Sequence, residues 1–160
     1  MTHLRLVIEP IPTRSRRASL AQLLPRRQWD RLRRGVYRRA GYRCRACGRA
    51  ARLHCHEVWG YHDPSGRQWL RGFQALCRDC HGAKHILFVR SRSHHQRLLD
   101  HYARVNHLTR AQADQHVQQA QRRQQWLDRQ RWTVCFGPYN WTVPPTHSAE
   151  QRRAYALLRL

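Results

Sequence analysis

The 160-residue chain predicts an α+β fold, and three observations carry that prediction. Two Cys-x-x-Cys pairs, Cys44/Cys47 and Cys77/Cys80, bracket a pair of strand-like runs. The runs flank a turn-rich stretch, YHDPSGR, and so read as a hairpin. Amphipathic segments with helix start and stop signals lie on either side of this centre. The length makes one domain the default and allows two small ones. The sequence divides into a basic N-terminal arm (1–24), a zinc module with its leading helix (25–90) and a helical extension with a short strand (91–160).

Taken in order, residues 3–8 (HLRLVI) alternate and read as a short strand. EPIPTRSRRAS follows, Pro-rich and basic, and reads as an arm or loop. PRRQWDRLRRGVYRRAG then reads as a helix. Pro25 suits a first turn, Trp29, Leu32, Val36 and Tyr37 recur at helical spacing, and Gly41 is a stop. RLHCHEVW and QWLRGFQAL are the two strands of the hairpin. Asp79 is a candidate cap for a helix from about His81 towards Val89. Residues 93–105 read as another helix, and Thr109 as the N-cap of a long one to about Gln130. WTVCFGPYN reads as a short strand, and Ser148 with Gln151 as the capping box of a terminal helix.

Charge is the strongest compositional signal. The chain carries 31 Lys plus Arg against nine Asp plus Glu, a net +22 with His neutral, and Lys84 is its only lysine. Such a chain repels itself unless it meets a polyanion. Nucleic acid is the natural one, because Arg forks onto phosphate and phosphate contacts release counterions. A ribosomal or membrane-surface role is the plainer alternative for a basic chain. No apolar run is long enough for a signal peptide or for the roughly 20 residues of a membrane span. The chain is therefore expected to be cytoplasmic, without a membrane partner, and its six cysteines to be reduced rather than bridged.

Four of those cysteines form the two Cys-x-x-Cys knuckles. Four soft thiolates suit a closed, tetrahedral Zn²⁺ that contributes folding energy rather than catalysis. Cys55 and Cys135 are left over and are expected simply to fill space. His81 and His85 stand four apart and share a helix face. The strand LHCHEVW adds His54, His56 and Glu57 as further candidates. A hairpin followed by a helix bearing His-x-x-x-His would bring these groups together, with positions left open for water and phosphate oxygens.

The run CRAC…LHCHEVW…LCRDCHGAKH resembles the zinc-ribbon type of HNH endonuclease motif, over roughly residues 42–88. The flanking WDRLRRGVYRRAGYRC and RVN stretches resemble a group of small bacterial HNH proteins. The resemblance implies a ββα-metal core and a bacterial or phage-encoded origin. It also implies a structural zinc on Cys44, Cys47, Cys77 and Cys80. A second, catalytic divalent ion (Mg²⁺, Mn²⁺, Ni²⁺ or Zn²⁺) would then sit on His56, His81 and His85. Glu57 falls where most members have the His that activates water. If the strand is read one residue out, His56 takes that role, and His54 and His62 are reserve bases. Gly72 stands where the family has its Asn, and Gln68 is the nearest amide.

The implied activity is metal-dependent hydrolysis of phosphodiester bonds, with DNA as the expected substrate. Neutral His ligands leave the ion's charge uncancelled, which favours an anionic substrate. Arg33, Arg34, Arg38 and Arg39 before the first knuckle, with Arg67 and Arg71 on the hairpin, are the candidate phosphate contacts. Two other readings stand beside this one. One is a zinc-stapled, Arg-rich nucleic-acid-binding module without catalysis. The other is a structural component of a phage or mobile-element assembly.

Overall fold

The computed structural model describes residues 4–16 and 18–137. The expected capping box at Ser148 and Gln151 lies outside them. Among the described residues the chain is a mixed α+β structure in which a three-stranded sheet carries helices on its faces.

The chain enters along residues 4–12, then forms a short helix, α1 (Leu20–Leu23), and a longer one, α2 (Arg26–Arg39). Pro25 caps α2 with its ring-fixed φ of −52°, a conformation that prepares a helix start without needing an N–H. The helix ends at Ala40, and Gly41 and Tyr42 both turn to positive φ, 60° and 54°. Strands β1 (Leu53–His62) and β2 (Arg67–Cys77) form the expected hairpin. They pair antiparallel from Leu53↔Cys77 through His56↔Gln74 to His62↔Arg67. The register slips between Val58 and Trp59, where β2 carries an extra residue beside Gly72. Gly72 sits at φ 156°, so the position expected from the family to hold Asn is the flexible point of a β-bulge. At the hairpin turn Gly66 adopts φ 60°, and a Cβ there would meet the Arg131 carbonyl oxygen at 2.8 Å.

Helix α3 (Arg78–Lys84) follows β2 directly and precedes a 3₁₀ turn, Ile86–Phe88. It begins three residues before the expected start at His81. Cys77 occupies the N-cap, and Asp79 lies within the first turn, so Asp79 is not the cap. Its carboxylate pairs instead with Arg49 at 3.0 Å. The helix also stops short of Val89, because the chain tightens at His85 into the 3₁₀ turn.

Helices α4 (Arg92–Asn106) and α5 (Arg110–Asp128) lie where expected. Thr109 caps α5 in a complete capping box with Gln112. The final described strand, β3 (Thr133–Cys135), pairs parallel to β2. It is shorter than WTVCFGPYN, whose last three residues lie outside the described range.

Residues 4–8 do not form the expected strand. Leu6 and Ile8 are buried in alternation with exposed Val7, which is the pattern read from the sequence. The backbone partner is not a strand, however. The side-chain amide of buried Asn106 accepts from Leu6 N–H at 3.0 Å and donates to the Leu6 carbonyl at 2.8 Å. One amide satisfies one residue, so no ladder can grow.

Two apolar clusters result. One joins Leu6 and Ile8 to the Cys knuckles, α3, α4 and α5 through Leu76, Ile86, Leu98, Leu99, Tyr102 and Val117. The other gathers Leu20, Leu24, Trp59 and Phe136, with Trp29, Leu70 and Phe73 around them. No helix among the described residues is long and apolar enough to cross a membrane.

Candidate metal centres

The four knuckle cysteines converge. The Sγ atoms of Cys44, Cys47, Cys77 and Cys80 all lie within 4.8 Å of one another. Local turns make this possible. Cys44 N–H bonds to the Arg49 carbonyl at 3.0 Å and Gly48 N–H to the Cys44 carbonyl at 2.8 Å, which folds residues 44–49 into a tight loop. Arg45 N–H bonds to the Ala75 carbonyl at 2.9 Å and fixes that loop to the end of β2. Cys77 ends β2, and Cys80 follows in the first turn of α3.

Three of the four cysteines are buried: Cys44, Cys77 and Cys80. The Cys44 thiol is pulled down to about 4, chiefly by its hydrogen bond with Cys80, against the opposing effect of burial. Cys80 is pushed the other way, first by Cys44 and then by burial. Sulfurs packed this closely cannot all ionise without a cation among them. The donor set therefore fits a closed tetrahedral site of the structural zinc type.

Two further groups touch these sulfurs. His101 Nε2 on α4 lies 3.1 Å from Cys80 Sγ, and Arg49 Nη2 lies 3.8 Å from Cys77 Sγ. Arg49 brings positive charge to the sulfurs, and His101, which burial pushes toward its neutral form, can donate an N–H to Cys80.

The second cluster lies one turn further along α3. Each of His56, His81 and His85 places a ring nitrogen within 4.8 Å of the other two. Ring centroids are 5.3 Å apart for His56–His81, 5.0 Å for His56–His85 and 4.9 Å for His81–His85. Burial, then the neighbouring imidazoles, lowers His81 to about 3. Burial likewise lowers His85 to about 4. Both are thus neutral near pH 7, which is the form that ligates a metal. Three imidazole donors fit a borderline divalent ion and leave coordination positions open.

Side chains alternate along β1, so His54 and His56 face α3 while Cys55 and Glu57 face α1 and α2. His54 stacks on His81 with centroids 5.2 Å apart and planes 17° apart. Glu57 Oε1 accepts from Leu20 N–H at 2.7 Å and from the Ser19 hydroxyl at 3.1 Å. Burial raises its carboxyl to about 7, although these bonds pull the other way. The two faces meet again around the outer edge of β1. There a cleft of about 280 Å³ is lined by Glu57, His56, His81, His85, Trp29 and Arg16, among others.

His62 stands apart at the hairpin end, where its Nδ1 lies 2.6 Å from Ser65 Oγ. Gln68 is fully buried, and neither of its side-chain polar atoms finds a hydrogen-bond partner. Cys55 is half-buried, with its thiol raised to about 12 first by burial, and Cys135 is buried. Neither environment favours a reactive thiolate.

The arginines sort by what holds them. Arg33 donates to Asp30 Oδ1 at 2.7 Å and is only partly exposed. Arg34, Arg38 and Arg39 on α2 are exposed, as are Arg67 and Arg71 on β2.

Glu9 is absent from the sequence-derived set and is in contact with the second cluster. Its Oε2 lies 2.5 Å from His56 Nε2, and its Oε1 accepts from Trp59 N–H at 3.1 Å. Burial pushes its carboxyl up, but the His56 bond, with nearby buried Lys84 and the Trp59 bond, outweighs that and holds it below the ordinary range. Arg16, His101 and Arg49 are likewise contributed by distant sequence. No motif marks any of the four. Comparison with protein-family models, with curated proteins and with solved structures finds no match to this chain.

Proposed function

We propose that this chain is a metal-dependent endonuclease of the HNH type, with β1, β2 and α3 as its ββα-metal core. One observation carries the reading. His56 on β1 meets His81 on α3 and His85 at its C-cap, beside a separate four-cysteine cluster. A purely structural zinc module needs only the cysteines. A second, nitrogen-only donor set against an open cleft leaves room for an ion to engage a substrate phosphate.

A divalent ion on His56, His81 and His85 would supply Lewis-acid charge at the scissile phosphate and at the leaving 3′ oxygen. The chain's own groups account for the rest. Glu57 accepts a proton from the attacking water. The water oxygen forms the new bond to phosphorus as the bond to the 3′ oxygen breaks. A carboxyl raised to about 7 is a far better base at neutral pH than an ordinary one. His54, half-buried beside His81, is the nearest alternative base. Arg16, on the cleft wall with its guanidinium 4.5 Å from the Phe88 ring centroid, is available to the substrate phosphate, and Arg34, Arg38, Arg39, Arg67 and Arg71 hold flanking phosphates. Arg33 contributes less, because Asp30 already engages it.

The test is conversion of supercoiled plasmid to the nicked form by zinc-loaded protein with Mg²⁺, Mn²⁺, Ni²⁺ or Zn²⁺ added. Cleavage with at least one ion is expected.

A second reading, a zinc-stapled nucleic-acid-binding module without catalysis, draws on one specific observation. Glu57 is engaged by Ser19 and Leu20 at the start of α1, a role that would suffice to explain it. Salt-sensitive DNA binding with no cleavage under any ion would favour that reading.

A further inference from the structure

We propose that Glu9, from the N-terminal segment, is a positioning residue of the His56–His81–His85 centre, holding His56 in the ring orientation that ligates a metal. The inference rests on the His site of the proposed function, but not on nuclease activity.

The geometry is specific. Glu9 is 47 residues from His56 in sequence, yet its Oε2 is 2.5 Å from His56 Nε2. Both side chains are nearly inaccessible, at 10% and 3% of their full exposure. The carboxylate is itself fixed at several points. Its other oxygen accepts from Trp59 N–H at 3.1 Å, and the Glu9 backbone N–H donates to the Lys84 carbonyl at 3.0 Å. That carbonyl belongs to the last residue of α3, immediately before His85. Glu9 thus bridges β1 and the end of α3, the two elements that contribute the donor set.

The chemistry follows from the imidazole. When His56 donates Nε2–H to Glu9, the proton is held on that nitrogen and Nδ1 keeps its lone pair. A carboxylate behind a ligating imidazole fixes its tautomer and raises its basicity. Glu9 lies outside the set whose donor atoms are mutually close, so it acts through His56 rather than as an equal member of the set.

The test uses full-length, zinc-loaded protein titrated with Co²⁺. Visible ligand-field absorption reports the nitrogen site, and the near-ultraviolet thiolate band reports any exchange into the cysteine site. Glu9→Gln keeps an oxygen for Trp59 and removes the carboxylate. It should weaken cobalt binding by about tenfold, within the range seen for groups behind metal-bound histidines. Asn106→Ala is the control, because it frees the same segment at Leu6 without touching His56. It should lower stability and leave cobalt affinity unchanged. Nitrogen-15 shifts of His56 in wild type should report the Nε2–H tautomer, and in Glu9→Gln a mixture.

Equal cobalt affinity for wild type and Glu9→Gln would overturn the proposal. So would an equal loss in Asn106→Ala, which would make Glu9 a mere tether. No cobalt uptake by the nitrogen site of wild type would overturn both this proposal and the His site itself. Cobalt binding lost in Glu9→Gln, in a protein that never cleaves DNA, would support the proposal while refuting the nuclease.

Discussion

If the four-cysteine site holds the zinc its donor set fits, withholding that ion is expected to unfold the centre of the molecule while part of its helix survives. The cluster joins three pieces of chain: the 44–49 loop, the end of β2 and the start of α3. His101 extends the connection to α4 through its 3.1 Å contact with Cys80. Structural zinc in small modules is worth about 10–16 kcal/mol of apparent binding free energy. A whole domain is typically stable by only about 5–15 kcal/mol. An ion bound there would therefore contribute on the same scale as a whole domain's net stability. The residues next in sequence to the cysteines add little apolar bulk: Ala46 and Ala83 are small, and Leu76 is the large one. Helices α4 and α5 share the same apolar cluster but also pack on each other, with Leu98, Leu99, Tyr102 and Val117 among its buried members. Chelation, or Cys80→Ser, should abolish amide protection across residues 44–85 and leave slower exchange within α4 and α5. Hydrogen exchange by mass spectrometry, paired with zinc content, measures both. Zinc-free protein that keeps full protection in β1, β2 and α3 would refute the reasoning.

Four smaller expectations accompany it. Asn106→Ala strips both backbone partners from buried Leu6 and should cost about 2–6 kcal/mol in urea unfolding, since each buried unpaired group costs about 1–3 kcal/mol. Thr109→Ala removes the capping box of α5 and should cost about 1 kcal/mol in the same assay. DNA affinity should fall steeply with salt, in proportion to the phosphates contacted, and a flat dependence would contradict a role for the +22 charge. Arg38→Ala should weaken DNA binding more than Arg33→Ala, because Asp30 holds the Arg33 guanidinium; equal losses would contradict that ordering.

The parts of this architecture that are legible in the sequence share one property: their chemistry is local. Pro25, Gly41 and the Thr109–Gln112 box mark helix ends within a turn of where they act. The hairpin is readable because its turn residues separate two β-prone runs. The cysteine pairs and the His81–His85 pair are readable because they recur at short, regular intervals, whereas the choice of His56 among the β1 candidates comes from the HNH resemblance. What escapes the sequence is long-range or decided by competition. The alternation at Leu6 and Ile8 reports burial correctly but not the partner, which is an amide 100 residues away. Asp79 has the side chain of a cap, but Arg49 attracts it and Cys77 takes the capping position. The parallel pairing of β3 on β2 brings together residues about 66 apart. Glu9 carries no local signature at all, since an acidic residue before Pro10 in a basic stretch looks like an ordinary loop residue.

The account's central claim, that the histidine centre cleaves phosphodiester bonds, is tested most directly by comparing wild type with His85→Ala. Both would be purified with zinc on the cysteine site, matched in circular dichroism and in DNA affinity, and assayed on supercoiled plasmid across the divalent ions. The account predicts metal-dependent nicking by wild type, and none by His85→Ala at equal DNA binding. Equal nicking by the two proteins, or no nicking by wild type with any ion, would contradict it.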